Sequence, residues 1–396
     1  MTTIEQSYVP RAVTARLGIL AAGLFVVGTN AFVIAGLLPE IARSLHTSVA
    51  SVSYSITLYA IVVAVASPVI SVALARLDRS RLMAAGLVLI ATGTGVATAA
   101  GGIGTFDAGR LLAAIGGAAL VPAATAAAPA LLPPAQRGRA LAIAGLGFTV
   151  ATAIGSPAGT ALAGIGGWRL PLGILAALAL VLAAAVVVFV RGIPLGAAAG
   201  LRGRFRVLGR GPMLAALAAT LLMTAGFNVV YVFSAAVTAP TTRGSSVELA
   251  VLLLLYGVGG IVGTNLAGRL TDRVGSRLVL SIALVAEVVV FVLLPFVDGS
   301  LAAMATMFVV WGIVAFAAVV AVQHRLVGID PAAAGIALSW YSTAMYIGIA
   351  LAPVVGALAL GTDGRGGATA VPLVGAGLAV LALAAFLVGF VRRRAA

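Results

Sequence analysis

The chain of 396 residues contains no cysteine. Disulfide staples, thiolate nucleophiles and thiolate metal sites are therefore excluded, and nothing follows about redox compartment. Lysine is missing too: all 24 basic residues are arginine. Beside heavy alanine and glycine usage this reads as a coding bias and carries no functional weight. Histidine occurs twice and acidic residues ten times. A convergent nucleophile, metal or acid–base set has little to be built from, so the chain is not expected to be an enzyme or to hold a cofactor or metal. Charged residues of both signs make up 9%, against roughly 25% in soluble domains. Such a chain cannot cover itself with a water-facing surface, and its solvent is lipid.

What is present fits that solvent. Hydrophobic residues are 62% and the mean hydropathy is +1.20. Apolar runs predict twelve spanning helices near 17–38, 50–74, 82–101, 107–130, 139–163, 169–190, 212–236, 247–267, 278–297, 300–322, 332–359 and 370–391. Each is about the 20 residues that cross a bilayer, and no room is left for a soluble domain. The first run continues to spanning length, unlike a cleaved signal peptide. The net charge of +14 sits in short loops, so lipid headgroups rather than nucleic acid are its expected partner. With the N-terminus inside, nineteen arginines fall on the inner side and four (Arg43, Arg169, Arg243 and Arg365) on the outer, which predicts cytoplasmic termini. Arg110 lies within the fourth helix.

One stretch organises the rest. Gly268-Arg269-Leu270-Thr271-Asp272-Arg273-Val274-Gly275-Ser276-Arg277 packs two glycines, a carboxylate and three arginines into what reads as a tight turn between helices 8 and 9. A degenerate copy, Leu74 to Arg81, carries Asp78 and Arg79 between helices 2 and 3. Asp78 and Asp272 are 194 positions apart, Pro157 and Pro353 196, Asn30 and Asn228 198. Three features at one offset describe a six-helix unit written twice: residues 1–190, a five-arginine linker at 191–211, and residues 212–396. Duplicated halves with a midplane site between them are the architecture of an alternating-access transporter.

These residues resemble the major facilitator superfamily, and within it the twelve-helix drug and sugar efflux group of drug:proton antiporters and arabinose-efflux permeases. The resemblance covers the whole chain and implies an all-α membrane fold of twelve helices in two halves, a monomer in the cell (inner) membrane. The opening stretch is similar to the family's G-x-L-x-D-R-x-G-R-R loop, with Ser276 departing from it. That likeness implies a gating role for Gly268, Asp272, Arg273, Gly275 and Arg277, with Asp272 latched to an arginine and a helix N-terminus. Gly268 is expected to let two helices approach. Asp78 and Arg79 are the first-half equivalents, although the copy lacks both glycines. A plain positive-inside turn would carry similar residues.

Helix 1 reads Gly28-Thr29-Asn30-Ala31-Phe32, similar to the group's G-T-x-E-F with alanine where the glutamate stands. The usual proton carrier is thus missing, and Asn30 remains as a neutral hydrogen-bonding group. Arg110, followed by small residues, is similar to the helix 4 arginine tied to proton transfer. Asp107 is three residues away on one helix face, as in an ordinary surface ion pair. Gly155-Ser156-Pro157-Ala158-Gly159 is a variant of the group's helix 5 antiporter motif. With Pro353 in helix 11, Gly155, Pro157 and Gly159 form an expected hinge pair, though small-residue packing looks the same. Glu287 is the carboxylate deep in a span, where a charge costs on the order of 3 kcal/mol, and is a second proton-coupling candidate beside Arg110.

Asn30, Phe32, Tyr59, Phe227, Asn228, Tyr231, Trp340 and Tyr341 are candidate substrate-binding residues, and as a set describe a largely apolar, uncharged cavity. The expected function is export of a small, mostly apolar, drug-like compound by proton-coupled antiport, with the proton gradient as energy source and no nucleic-acid partner. The alternatives are a sugar or metabolite exporter acting as an uncoupled facilitator, and a non-transporting membrane sensor or scaffold.

Overall fold

The computed structural model describes residues 11–74, 77–133, 136–193, 205–297, 299–361 and 368–391. Among these there are twelve helices long and apolar enough to cross a membrane, and no strand. They are α1 (Arg11–Ser44), α2 (Val49–Ala73), α3 (Arg79–Thr98), α4 (Ile103–Ala127), α5 (Arg137–Val150, continued after a wide turn by Ser156–Gly166), α6 (Arg169–Phe189), α7 (Gly211–Val232), α8 (Ser246–Val274), α9 (Ser276–Leu293), α10 (Leu301–Ile329), α11 (Ala334–Leu360) and α12 (Ala370–Val391). In lipid each backbone N–H and C=O must be satisfied within its own helix, which is why the apolar runs fold this way.

Two boundaries correct the sequence reading. The stretch 268–277 is not a ten-residue turn: α8 stays helical through Val274, and the chain reverses at Gly275, whose φ of 83° favours glycine. Gly268 therefore lies inside a helix, with open space where a Cβ would project, so it mediates no close helix approach here. The linker expected at 191–211 is described only at 191–193 and 205–211. Residues 194–204, the chain ends before 11 and after 391, and Arg76, Arg365 and Arg392 to Arg394 lie outside the described residues.

Small residues set the packing. Gly93 and Gly109 place α3 against α4 so closely that a side chain on either would strike the other helix's backbone; Gly259, Gly263 and Gly312 do the same for α8 and α10. Lipid tails are as apolar as leucine, so helix association rests on such close van der Waals contact.

The two halves meet along two seams, α5 with α8 and α2 with α11. In the first, Gly257 lies so near Ala153 that any side chain would meet its backbone, and toward the 166–169 loop a Cβ on Gly164 would lie 2.6 Å from Ser246 Oγ. In the second, Thr57 Oγ1 donates to the Ala350 carbonyl at 2.7 Å. All of these contacts lie toward one end of the molecule, the end of the 44–49, 166–169 and 242–246 connections. Toward the other end the same helix faces come out of contact. Beyond Gly257, Ile261 and Asn265 are exposed; beyond Ala153, Leu146 and Ala142 are exposed; beyond the buried Ile349 on α11, Ser342, Leu338 and Gly335 are exposed. The molecule is sealed at one end and parted at the end carrying Asp78 and Asp272.

Candidate functional site: buried polar groups at the half-to-half seam

Each half holds a buried polar cluster near the middle of its helices. In the first half, α4 carries Arg110 inward, only 2% exposed. Its Nη1 donates to Asn30 twice, to the backbone carbonyl at 2.6 Å and to Oδ1 at 2.5 Å. Asn30 Nδ2 donates in turn to Thr94 Oγ1 on α3 at 2.6 Å. The guanidinium lies 4.5 Å from the centre of the Tyr59 ring on α2, a cation–π contact strengthened by burial. Its Nε and Nη2 make no hydrogen bond among the described residues. Asp107 makes no ion pair with it but lies within its electrostatic reach, so the direct contacts of this buried cation are dipoles and a ring. Two candidates the sequence placed in separate roles, Asn30 and Arg110, are one unit.

In the second half, Glu287 on α9 is 1% exposed. The Trp311 indole on α10 faces its carboxyl, and Tyr256 on α8 lies within electrostatic reach of it. Trp311 and Tyr256 rings stack with centroids 4.3 Å apart, Tyr256 meets Tyr231 on α7 at 5.5 Å, and Tyr231 meets Phe32 on α1 at 5.8 Å. The Tyr231 hydroxyl donates to Ser156 Oγ on α5 at 2.8 Å, and Ser156 donates to the Phe32 carbonyl at 3.2 Å. Phe32 and Tyr231, both binding candidates, thus meet across the seam. One member of each cluster is repeat-related: Tyr59 and Tyr256 are 197 positions apart, within the spacing of the repeat.

Other candidates are elsewhere. Asn228 is buried but bonds its own helix, donating to the Thr224 carbonyl at 2.9 Å. Phe227 is partly buried against the main core. Tyr341 is buried and bonds Gln323, while Trp340 meets Phe205 at 5.5 Å near the parted end. They do not share one pocket with Asn30.

The hinge candidates show local irregularity in α5 only. Its backbone widens into a π-turn at Ala151–Gly155, where the Ser156 N–H reaches back to the Ala151 carbonyl, directly before Pro157. A proline denies its i−4 carbonyl a donor, and a wide turn is one way to accommodate that. Gly155 and Gly159 let this segment press on α1, at Thr29 and Val33 respectively. Pro353 sits in an uninterrupted α11, one turn from the Ala350 carbonyl that Thr57 caps.

At the parted end, Asp272 is 77% exposed on its side chain, and the His324 imidazole Nε2 lies 3.9 Å from its Oδ1. Arg277 stacks on Phe390 at 4.8 Å. Asp78 caps α3 by accepting from the Arg81 N–H at 3.0 Å, and Arg79 donates to the Ala126 carbonyl at 2.7 Å. The latch that the family resemblance implies for Asp272 is not engaged in this arrangement, as its exposed position in a parted end requires.

The family model of the Major Facilitator Superfamily matches residues 20–353. An uncharacterized transporter of that type from Bacillus subtilis, YbcL, is 27% identical over 93% of this chain and 95% of its own. A chloramphenicol resistance protein of Streptomyces lividans is 32% identical over 94% of this chain and 95% of its own. The crystal structure of a bacterial homolog of the human lysosomal transporter Spinster, inward-facing and unoccupied, superposes with a TM-score of 0.73 at 17% identity, covering 96% of both chains.

Proposed function

The chain belongs to the Major Facilitator Superfamily, and on that premise we propose that it exports a small, mostly apolar, drug-like compound by alternating access, with inward proton movement as the driving reaction. The observation that carries the transport cycle is the asymmetry of the seams. The halves touch through Thr57, Ser156, Tyr231 and Gly257 toward one end and part toward the other. A static sensor or scaffold has no use for a cleft that opens to one side around a midplane.

The arginine bias supports a cytoplasmic parted end, and in that orientation the arrangement would load a compound from inside the cell. The facing helices offer alanines, glycines and aromatic rings with scattered hydroxyls, which suits a lipophilic compound. The 32% identity to a chloramphenicol resistance protein supports the same class. An uncoupled facilitator for a sugar or metabolite is the second reading, favoured by one observation: Ala31 stands where the helix 1 carboxylate would be.

Everted vesicles from an efflux-deficient bacterium expressing the chain, offered chloramphenicol, a lipophilic dye and a sugar, test the proposal. Accumulation of chloramphenicol or dye driven by an acid lumen is expected. Sugar movement indifferent to the gradient would establish the facilitator instead, and no movement by any compound would overturn export of this class.

A further inference from the structure

Glu287 is a carboxyl without a task in the account so far. It is the one acidic side chain fully buried among the described residues. A carboxylate at this depth, with no cation beside it, is a costly group that membrane proteins retain for function. We propose, resting on the proton-driven reading above, that Glu287 is the carboxyl that exchanges a proton with water when the sealed end opens, and that its neutral form is what the sealed end requires.

The geometry supplies the link. From Glu287 the cluster runs through Trp311 and Tyr256 to Tyr231, whose hydroxyl bonds Ser156 on the opposite half. That bond sits in the seam, one residue from Pro157 and at the end of the π-turn of α5. While the seam is sealed the cluster is dry, and an ionised carboxylate inside it has no solvation. When the seam opens, the Tyr231–Ser156 bond breaks and water reaches the tyrosine face of the cluster. The carboxylate form then becomes tolerable. Protonation therefore favours the sealed end and deprotonation favours its opening. The step is a plain proton exchange between water and the carboxyl.

The groups around Glu287 leave no other titrating partner. Tyr256 faces it from α8 and the Trp311 indole from α10, while α12 carries no ionisable side chain between Ala370 and Val391. His324 and Arg325 on α10 lie more than three turns from Trp311 toward the parted end, as Asp272 does from Tyr256 on α8; Glu248 is two turns from Tyr256 toward the sealed end.

The test needs only protons as ligand. Spin labels replace Arg43 and Arg243, both exposed at the sealed end, and the distance between them is followed against pH in lipid nanodiscs. One titrating proton changes the ratio of sealed to open populations by up to about tenfold per pH unit, so acidification is expected to seal this end along such a slope. Glu287→Gln is expected to stay sealed at all pH values, and Glu287→Asp to keep the response with a displaced midpoint. A distance independent of pH in the wild-type carboxyl background overturns the assignment, as does a wild-type response in Glu287→Gln. If Glu287→Gln does not insert, a Glu287→Asp midpoint equal to that of wild type overturns it. A pH response in a protein that moves no compound would leave Glu287 assigned and remove the export reading alone.

Discussion

Arg110 and Asn30 share two hydrogen bonds, from one guanidinium nitrogen to the backbone carbonyl and the side-chain oxygen of the same residue, at 2.6 and 2.5 Å. A permanent charge inside the bilayer is thereby held by dipoles and by the Tyr59 ring rather than by a carboxylate. Hydrogen bonds to a charged group contribute about 1.5–3 kcal/mol each, so this unit locks α1 to α4.

Replacing Asn30 by leucine removes both the side-chain acceptor for Arg110 and the donor to Thr94. The protein is expected to lose about 2–3 kcal/mol of stability, seen as a lower melting temperature in detergent. Asn30→Asp keeps an acceptor for Arg110 and should melt at least as high as wild type. An unchanged melting temperature in Asn30→Leu would show that the unit does not hold the helices.

Tyr231→Phe deletes the hydroxyl that bonds Ser156 across the seam. The expected effect is a shift of about 0.5–1.5 kcal/mol toward opening of the sealed end, read as a longer distance between spin labels on cysteines replacing Arg43 and Arg243, both exposed at that end. The absence of native cysteine makes this clean. Ser156→Ala, which also loses the bond to the Phe32 carbonyl within its own half, should produce a similar shift, and the double variant little more, because both remove the same bond across the seam. Additive shifts would mean that the bond is not shared.

Gly257→Val places a branched side chain where Ala153 backbone already lies. The α5–α8 seam then cannot seal, so transport is expected to fall to background while the chain still inserts. Normal transport in this variant would show that the seam need not close.

Asp272→Asn alters a side chain that is 77% exposed and lies 3.9 Å from the His324 imidazole. Stability is expected to stay within about 0.5 kcal/mol of wild type, while transport is expected to drop, the outcome that the gating role implied by the family resemblance requires. Gly268→Ala, with open space around its Cβ, separates the same two effects. A variant with full activity would remove the gating role from that residue.

The sequence alone carried the large features because they rest on composition and repetition. Twelve apolar runs became twelve helices, and the pairs Asp78/Asp272 and Pro157/Pro353 announced the duplication at a spacing no local structure imposes. Local boundaries were less legible. Arginine and aspartate at 269–273 look like a turn, yet α8 continues through them because helical backbone bonds do not depend on side-chain polarity, and only Gly275 has the positive φ that ends it. The Asn30–Arg110 unit and the Glu287–Trp311–Tyr256–Tyr231 row were hidden for a different reason. Each joins helices distant in sequence, and in a chain with this much alanine and glycine the hydrophobic period scarcely says which face of a helix looks inward. The π-turn at Ala151–Gly155 had a signal, the proline two residues on, but proline also sits in the unbroken α11.

Alternating access is the claim on which the rest depends, and paired distances at the two ends test it most directly. One spin-label pair replaces Arg43 and Arg243 at the sealed end, another Arg137 and Arg269 at the parted end, all four exposed. During turnover with a transported compound, the first distance should lengthen as the second shortens, in the same fraction of molecules. Two distances that stay fixed, or that change together, would contradict the account.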